Sequence, residues 1–211
     1  MPTNTLRYTR CAVMVHGKSE LYLAKYICSN LRIPHKMIAN NNGRSSIQIN
    51  GIWSYLKKKP FNNLKAFAEE YSIEYDKKQK KLLNFKLFLI MDTDDCDERT
   101  KEMYISGELF KGHPLAEYIV PIYNNGTLEN VLFKAGLTPQ RLSSSEKGEY
   151  YKRIFPINTQ PMSYNTIDQV RAFATRIKGI KETNLLEFVE YCVQQLPGET
   201  LWMERSENDK K

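Results

Sequence analysis

The chain has 211 residues, 41% hydrophobic and 26% charged, with a net charge of +7 and a pI near 9.1. That is one ordinary domain, or one domain with a small appendage, with material for a full core, and it excludes collagen, coiled coil and wholesale disorder. No apolar run approaches the ~20 residues of a membrane helix, and Met1 to Arg10 lacks the apolar stretch of a signal peptide. Charge is unevenly spread: residues 1–86 carry 16 Lys/Arg against 5 Asp/Glu, a net +11, so the remaining 125 residues sum to −4. A basic half either attracts a polyanion or is a solvated face. The four cysteines, Cys11, Cys28, Cys96 and Cys192, are far apart and form no Cys-x-x-Cys. That spacing argues against a disulfide framework or a cysteine-rich zinc site, and points to free thiols in a reducing cytoplasm.

In chain order, Cys11 to His16 reads as a buried parallel strand ended by Gly17. Ser19-Glu20 opens a helix with apolar positions at Leu21, Leu23, Ala24, Ile27 and Leu31, stopped by Pro34. A second strand, Lys36 to Ala39, runs into the turn Asn40 to Arg44, where Asn and Gly tolerate positive φ. Ser45 is placed to cap a helix from Ser46 to about Lys58, and Asn63 to Tyr71 reads as another. The polar run Asp76 to Lys81 reads as exposed. Phe85 to Met91 is the most apolar run and reads as a central strand, followed by Asp92-Thr-Asp-Asp-Cys-Asp97 and a helix from about Glu98 to Phe110. Tyr118 to Tyr123 is a fourth strand, and Pro121 suits a strand end or sheet edge. A turn at Asn124 to Gly126 precedes a helix from Leu128 to Ala135. Beyond Gly136 the strand signals stop; Thr166 to Lys178 and Asn184 to Leu196 carry helical spacing.

This alternation predicts an α/β fold, a parallel sheet of about four strands with helices on both faces, over residues 8–136. A helical extension over 137–205 packs on it, and 206–211 form a frayed tail. Ligands of such sheets bind at the carboxyl ends of the strands. Three turns should therefore meet at one edge: His16-Gly17-Lys18, Asn42-Gly43-Arg44 and Asp92-Thr93-Asp94.

Four groups at that edge carry chemistry. Asp92-x-Asp94 puts two carboxylates just past a strand end, and their repulsion calls for a hard divalent cation, magnesium or manganese. The competing reading is an acidic helix start, with Asp94, Asp95 or Asp97 as its cap. In Val15-His16-Gly17-Lys18-Ser19-Glu20, a P-loop is excluded because its leading glycine falls at Ala12. What remains is a helix N-terminus at Gly17 and Lys18 able to hold an anion. His16 either ligates a metal or moves a proton, or is a packed, hydrogen-bonded histidine. Glu20 either acts in the site or only closes the capping turn. Gly43-Arg44 is a second turn into a helix, with Arg44 suited to a phosphate or to the open surface. Glu129, after the last strand, either joins a metal cluster or sits in the first turn of its helix.

From Cys11 to about Ala135 these motifs resemble the Toprim domain, the metal-binding module of topoisomerases, primases and related nucleases. Asp92 and Asp94 match its Asp-x-Asp. Val13-x-Val15-x-Gly17-Lys-Ser-Glu20 resembles the Val-Glu-Gly-x-x-Glu form of OLD-family and RloB-like nucleases. Asn42-Gly43-Arg44-Ser45 and Glu129-Asn130 resemble further turns of those proteins. The resemblance covers about 60% of the chain. It implies a Mg2+- or Mn2+-dependent nuclease, or related phosphodiester-processing enzyme, acting on DNA or RNA. Asp92, Asp94, Glu20 and Glu129 would hold metal, His16, Glu20 and Asp92 would be catalytic, and Gly17, Lys18, Gly43 and Arg44 would bind phosphate. The family glutamate is replaced by His16. Three readings stay open: His16 takes over its role, Glu20 supplies the carboxylate one turn later, or activity is lost. The alternative function is then an inactive module binding nucleic acid, nucleotide, a protein partner or a second copy. No tyrosine is assignable as a topoisomerase nucleophile. A phosphohydrolase with an aspartate nucleophile is disfavoured because two strands precede Asp92.

Overall fold

The computed structural model describes residues 8–139, 144–157 and 164–196. In chain order these are strand β1 (Cys11–Val15), helix α1 (Lys18–Asn30), β2 (His35–Ile38), α2 (Ile49–Leu56), α3 (Leu64–Tyr71), β3 (Tyr75–Asp76), β4 (Lys81–Leu82) and β5 (Lys86–Asp92). There follow α4 (Glu98–Ile105), β6 (Ile119–Asn124), α5 (Leu128–Lys134), α6 (Ser144–Ile154), α7 (Tyr164–Ile177) and α8 (Leu185–Gln194). The expected tail at 206–211 lies outside the described residues.

Four strands form one parallel sheet in the order β2-β1-β5-β6. Side chains alternate across it, as the period of two requires. Cys11, Val13, Val15, Phe88, Ile90 and Ile122 enter one core with α1, α5, α6, α7 and α8. Ala12, Met14, Leu87, Leu89, Met91 and Ile119 enter the other with α2, α3 and α4. The α/β architecture with helices on both faces is thus established, and α6 to α8 share the core of the α1 face. No helix among the described residues is long and apolar enough to cross a membrane.

β6 is an edge strand, as Pro121 implied, and its open side is covered. Asn184 accepts from the Tyr123 N–H (2.8 Å) and donates to the Pro121 carbonyl (2.9 Å), while Thr183 bridges to Asn124. This pairing satisfies backbone groups that an exposed edge would leave open.

Two local expectations need correction. Helix α2 starts at Ile49 behind an uncapped Gln48, not at Ser46 behind Ser45. Ile47 holds the chain extended there: its N–H donates to the His16 carbonyl (2.8 Å) and its side chain is buried. The helix after Asp97 stops at Ile105, because Gly107 turns the chain at φ +78° before a short 3-10 turn at Glu108–Phe110. The polar run from Asp76 is exposed from Lys77 to Lys81, as expected, and forms a hairpin turn between β3 and β4, where the Asp76 carboxylate accepts from the Lys78 and Gln79 N–H groups. Helix α6 falls within the expected helical extension, although no helical spacing marks it in the sequence. Gly148 is a weak helix former, and Tyr151 and Ile154, with Phe155 just beyond the helix end, give only a short apolar stripe.

Candidate active site

β1 is flanked by β2 on one side and β5 on the other. The chain leaves β1 for α1 on one face and leaves β5 for α4 on the other. Such a reversal opens a crevice at the carboxyl ends of the two strands. His16 to Glu20 follow β1 at that crevice, and Asp92 to Asp95 end β5 beside them.

The three expected turns do meet. Gly43, at φ +79°, lies so close that a Cβ there would stand 3.0 Å from Lys18 Cα and 3.3 Å from the Gly17 carbonyl carbon. Only a glycine allows both that φ and that approach. The β1 and β5 ends are joined by the His16 N–H donating to the Ile90 carbonyl (2.8 Å).

Three carboxylates line the α1 side. Glu20 is 2% exposed in the first turn of α1, and its Oε2 accepts from the Gly17 N–H (2.8 Å). Asp92 is 5% exposed, and its Oδ1 accepts from Asn124 Nδ2 (3.0 Å) and the Leu128 N–H (2.9 Å). Glu129 Oε1 accepts from Ser19 Oγ and Lys147 Nζ, each at 3.0 Å. Each carboxylate thus has one oxygen anchored by protein donors, and the other has no hydrogen-bond partner among the described residues. Glu20 and Glu129 each sit in the first turn of a helix, with their carboxylates within electrostatic reach of Asp92.

Burial is the largest influence on each of these groups. It pushes the Asp92 carboxyl up to about 9, with the Glu20 charge adding to it. Burial, with a contribution from Glu129, pushes Glu20 up to about 7. Burial raises Glu129 too, but the Lys147 ammonium and the Ser19 hydroxyl outweigh it and hold that carboxyl below its ordinary value.

Asp94 does not join them. Its side chain is exposed, because the chain turns directly after Asp92. The Thr93 N–H is fixed by the Asn124 and Gly126 carbonyls, which ends the strand alternation that would have aligned Asp92 with Asp94. Asp95 faces the crevice instead, 3.9 Å from His16 Nδ1. That distance is too long for a direct hydrogen bond. Both Asp95 oxygens and His16 Nδ1 are buried without a partner, so His16 is not a satisfied core histidine. Burial first, and then Asp94, raises the Asp95 carboxyl, while His16 lowers it. Asp97 is the helix cap, accepting from the Thr100 N–H (3.0 Å).

Lys18 and Arg44 are exposed beside the crevice, and Lys18 Nζ reaches towards Gly148 of α6. Asp95, Ser19, Asn124 and Lys147 are functional candidates that the sequence did not single out. Asp95 was visible in the acidic run but offered only as a cap, and Lys147 lies on α6, which no helical spacing marks in the sequence.

A hard divalent cation suits the donor type, three carboxylates held from behind by N–H, hydroxyl and ammonium donors. The carboxylates are not already drawn together. Among the described residues, the one set of three His, Cys, Asp or Glu donors lying within 4.8 Å of one another is Cys11, Cys28 and Cys192. Together these features define a doubly wound α/β protein with an acidic crevice at its switch point. Comparison with protein-family models, curated proteins and solved structures gives no match.

Proposed function

We propose that this chain is a Toprim-like, Mg2+- or Mn2+-dependent nuclease or related phosphodiester-processing enzyme acting on DNA or RNA. The observation that carries the reading is the set of three buried or half-buried carboxylates at the switch point, each with one oxygen fixed and one open. Glu20, Asp92 and Glu129 would hold the cation, which when bound polarises a phosphate oxygen and lowers the pKa of water. Asn124, the Leu128 N–H, Ser19 and Lys147 orient those carboxylates. His16, with Asp95 opposite its Nδ1, is suited to hold or move a proton at that atom. Lys18 and Arg44 present cations to a backbone phosphate beside the crevice. The basic N-terminal part, net +11 over residues 1–86, supports a polyanionic substrate.

The test is cleavage of plasmid, single-stranded DNA and RNA with Mg2+, with Mn2+ and with EDTA. Cleavage that needs metal and disappears in Glu129→Gln is expected, with a 10–100-fold loss in Ser19→Ala, whose hydroxyl only orients Glu129. Absence of cleavage with either metal overturns the nuclease reading.

A second reading is favoured by His16 at the family glutamate position and by the outward Asp94: a module that binds nucleic acid without cutting it. Salt-sensitive binding by an inert protein would select it.

A further inference from the structure

A second cluster lies away from the crevice. Cys11 opens β1, Cys28 is near the end of α1, and Cys192 is near the end of α8, so three elements from both ends of the chain converge. Their Sγ atoms lie within 4.8 Å of one another, and Cys11 and Cys28 are 3.9 Å apart. All three are free thiols and 0% exposed, in the core of the α1 face.

Buried cysteines are often no more than small apolar side chains. The convergence of three of the four on one point asks for more than apolar filling. Three sulfurs bound in a plane to one ion at ~2.3 Å stand roughly 4.0 Å apart, close to the spacing between Cys11 and Cys28. A disulfide would need its sulfurs at about 2.05 Å, nearly halving that separation. Among the described residues, no fourth His, Cys, Asp or Glu donor joins the set. Structural zinc sites use four ligands, so the three-sulfur arrangement favours soft cations content with three thiolates.

We propose that Cys11, Cys28 and Cys192 form a buried three-sulfur site for a single thiophilic d10 cation, which ties α8 to β1 and α1. With a divalent ion such as Cd2+ three S–H bonds break and three sulfur–metal bonds form. Three protons are released to solvent, leaving the site at −1, with no change of oxidation state. His35, at the start of β2, lies within electrostatic reach of Cys11. Because the sulfurs are inaccessible, the ion must enter while the chain folds or while α8 is undocked.

The test uses the full chain unfolded in denaturant with reductant and EDTA, then refolded with one equivalent of Cd2+ and desalted. One Cd2+ retained per chain is expected, with a sulfur-to-cadmium charge-transfer absorption and a higher melting temperature than the metal-free protein. Cys96→Ala should behave like the parent, whereas Cys28→Ala and Cys192→Ala should each lose the absorption. Parent protein that refolds with native circular dichroism but retains no Cd2+ overturns the proposal, whether or not the variants fold. Retention that survives in a folded Cys28→Ala or Cys192→Ala also overturns it.

Discussion

Replacing Asp92 by asparagine should stabilise the metal-free protein and the gain should grow with pH. The Asp92 carboxyl is pushed up to about 9 by burial and by Glu20, against about 3.9 for an unfolded aspartate. A raised carboxyl makes folding most favourable in acid. Stability then falls as pH climbs from the unfolded towards the folded value, the reverse of an ordinary paired carboxylate. By pH 7 the folded state is holding a proton that the unfolded chain has shed over roughly 3 pH units, at about 1.36 kcal/mol each, or roughly 4 kcal/mol. Asparagine removes that penalty and its Oδ1 can still accept from Asn124 and the Leu128 N–H. Its amide must be accommodated where the open oxygen now lies, so the net gain is about 2–4 kcal/mol. For a domain of this size that raises the melting temperature by roughly 5–15 °C. Glu20, pushed up to about 7 chiefly by burial, acts in the same direction, and the two titrate together. The assay is thermal and urea unfolding of parent and variant between pH 5 and 8 in EDTA, repeated with Mn2+. Mn2+ at 100 times its Kd should stabilise the parent by ~2.7 kcal/mol and leave the variant unchanged. If the two proteins keep a constant separation from pH 5 to 8, or the variant is the weaker at pH 8, then Asp92 is not a strained buried acid and the reasoning fails.

Three further outcomes follow from the same geometry. Gly43→Ala must place a Cβ 3.0 Å from Lys18 Cα at φ +79°, and should lower stability by about 1–3 kcal/mol in urea titrations. Asp97→Ala removes the α4 cap and should cost ~1 kcal/mol, with Mn2+ affinity unaltered because that carboxylate lies outside the crevice. Lys147→Met removes the ammonium that helps hold Glu129 ionised. The acid limb of metal-dependent cleavage should therefore move to higher pH, and an unmoved limb would show that Glu129 does not titrate in that step.

Much of the fold was legible because parallel strands buried on both faces read as unbroken apolar runs. Phe85 to Met91 announced β5 within a residue at each end, and the crossovers implied by helix alternation placed its carboxyl end beside that of β1. Some local chemistry was legible too: a cap among Asp94, Asp95 and Asp97, Gly43 as a turn and Pro121 at a strand end or edge are each matters of local backbone. The illegible parts depend on where the chain changes direction or on which distant segments meet. β3 and β4 are two residues each, too short for alternation to register. Asp94 and Asp95 are neighbours of the same type, and which one faces His16 is settled by Thr93 bonding across to Asn124 and Gly126. Cys11, Cys28 and Cys192 look unrelated by spacing until α8 docks against β1 and α1.

The same docking explains why the helical extension bears on the crevice and not only on the core. The anchor of Glu129 is shared between Ser19, on α1, and Lys147, on α6. α6 packs on α1 through Tyr151, stacked on Tyr22, and through Phe155 against Tyr26. An element with few sequence signals therefore supplies the cation that keeps one carboxylate charged while its two neighbours are driven towards neutrality. The expected division into an α/β domain and a packed extension understates this. Residues after 137 complete the electrostatics of a site whose other members all lie before 130, so removing α6 should disturb the charge of Glu129 before it disturbs the sheet.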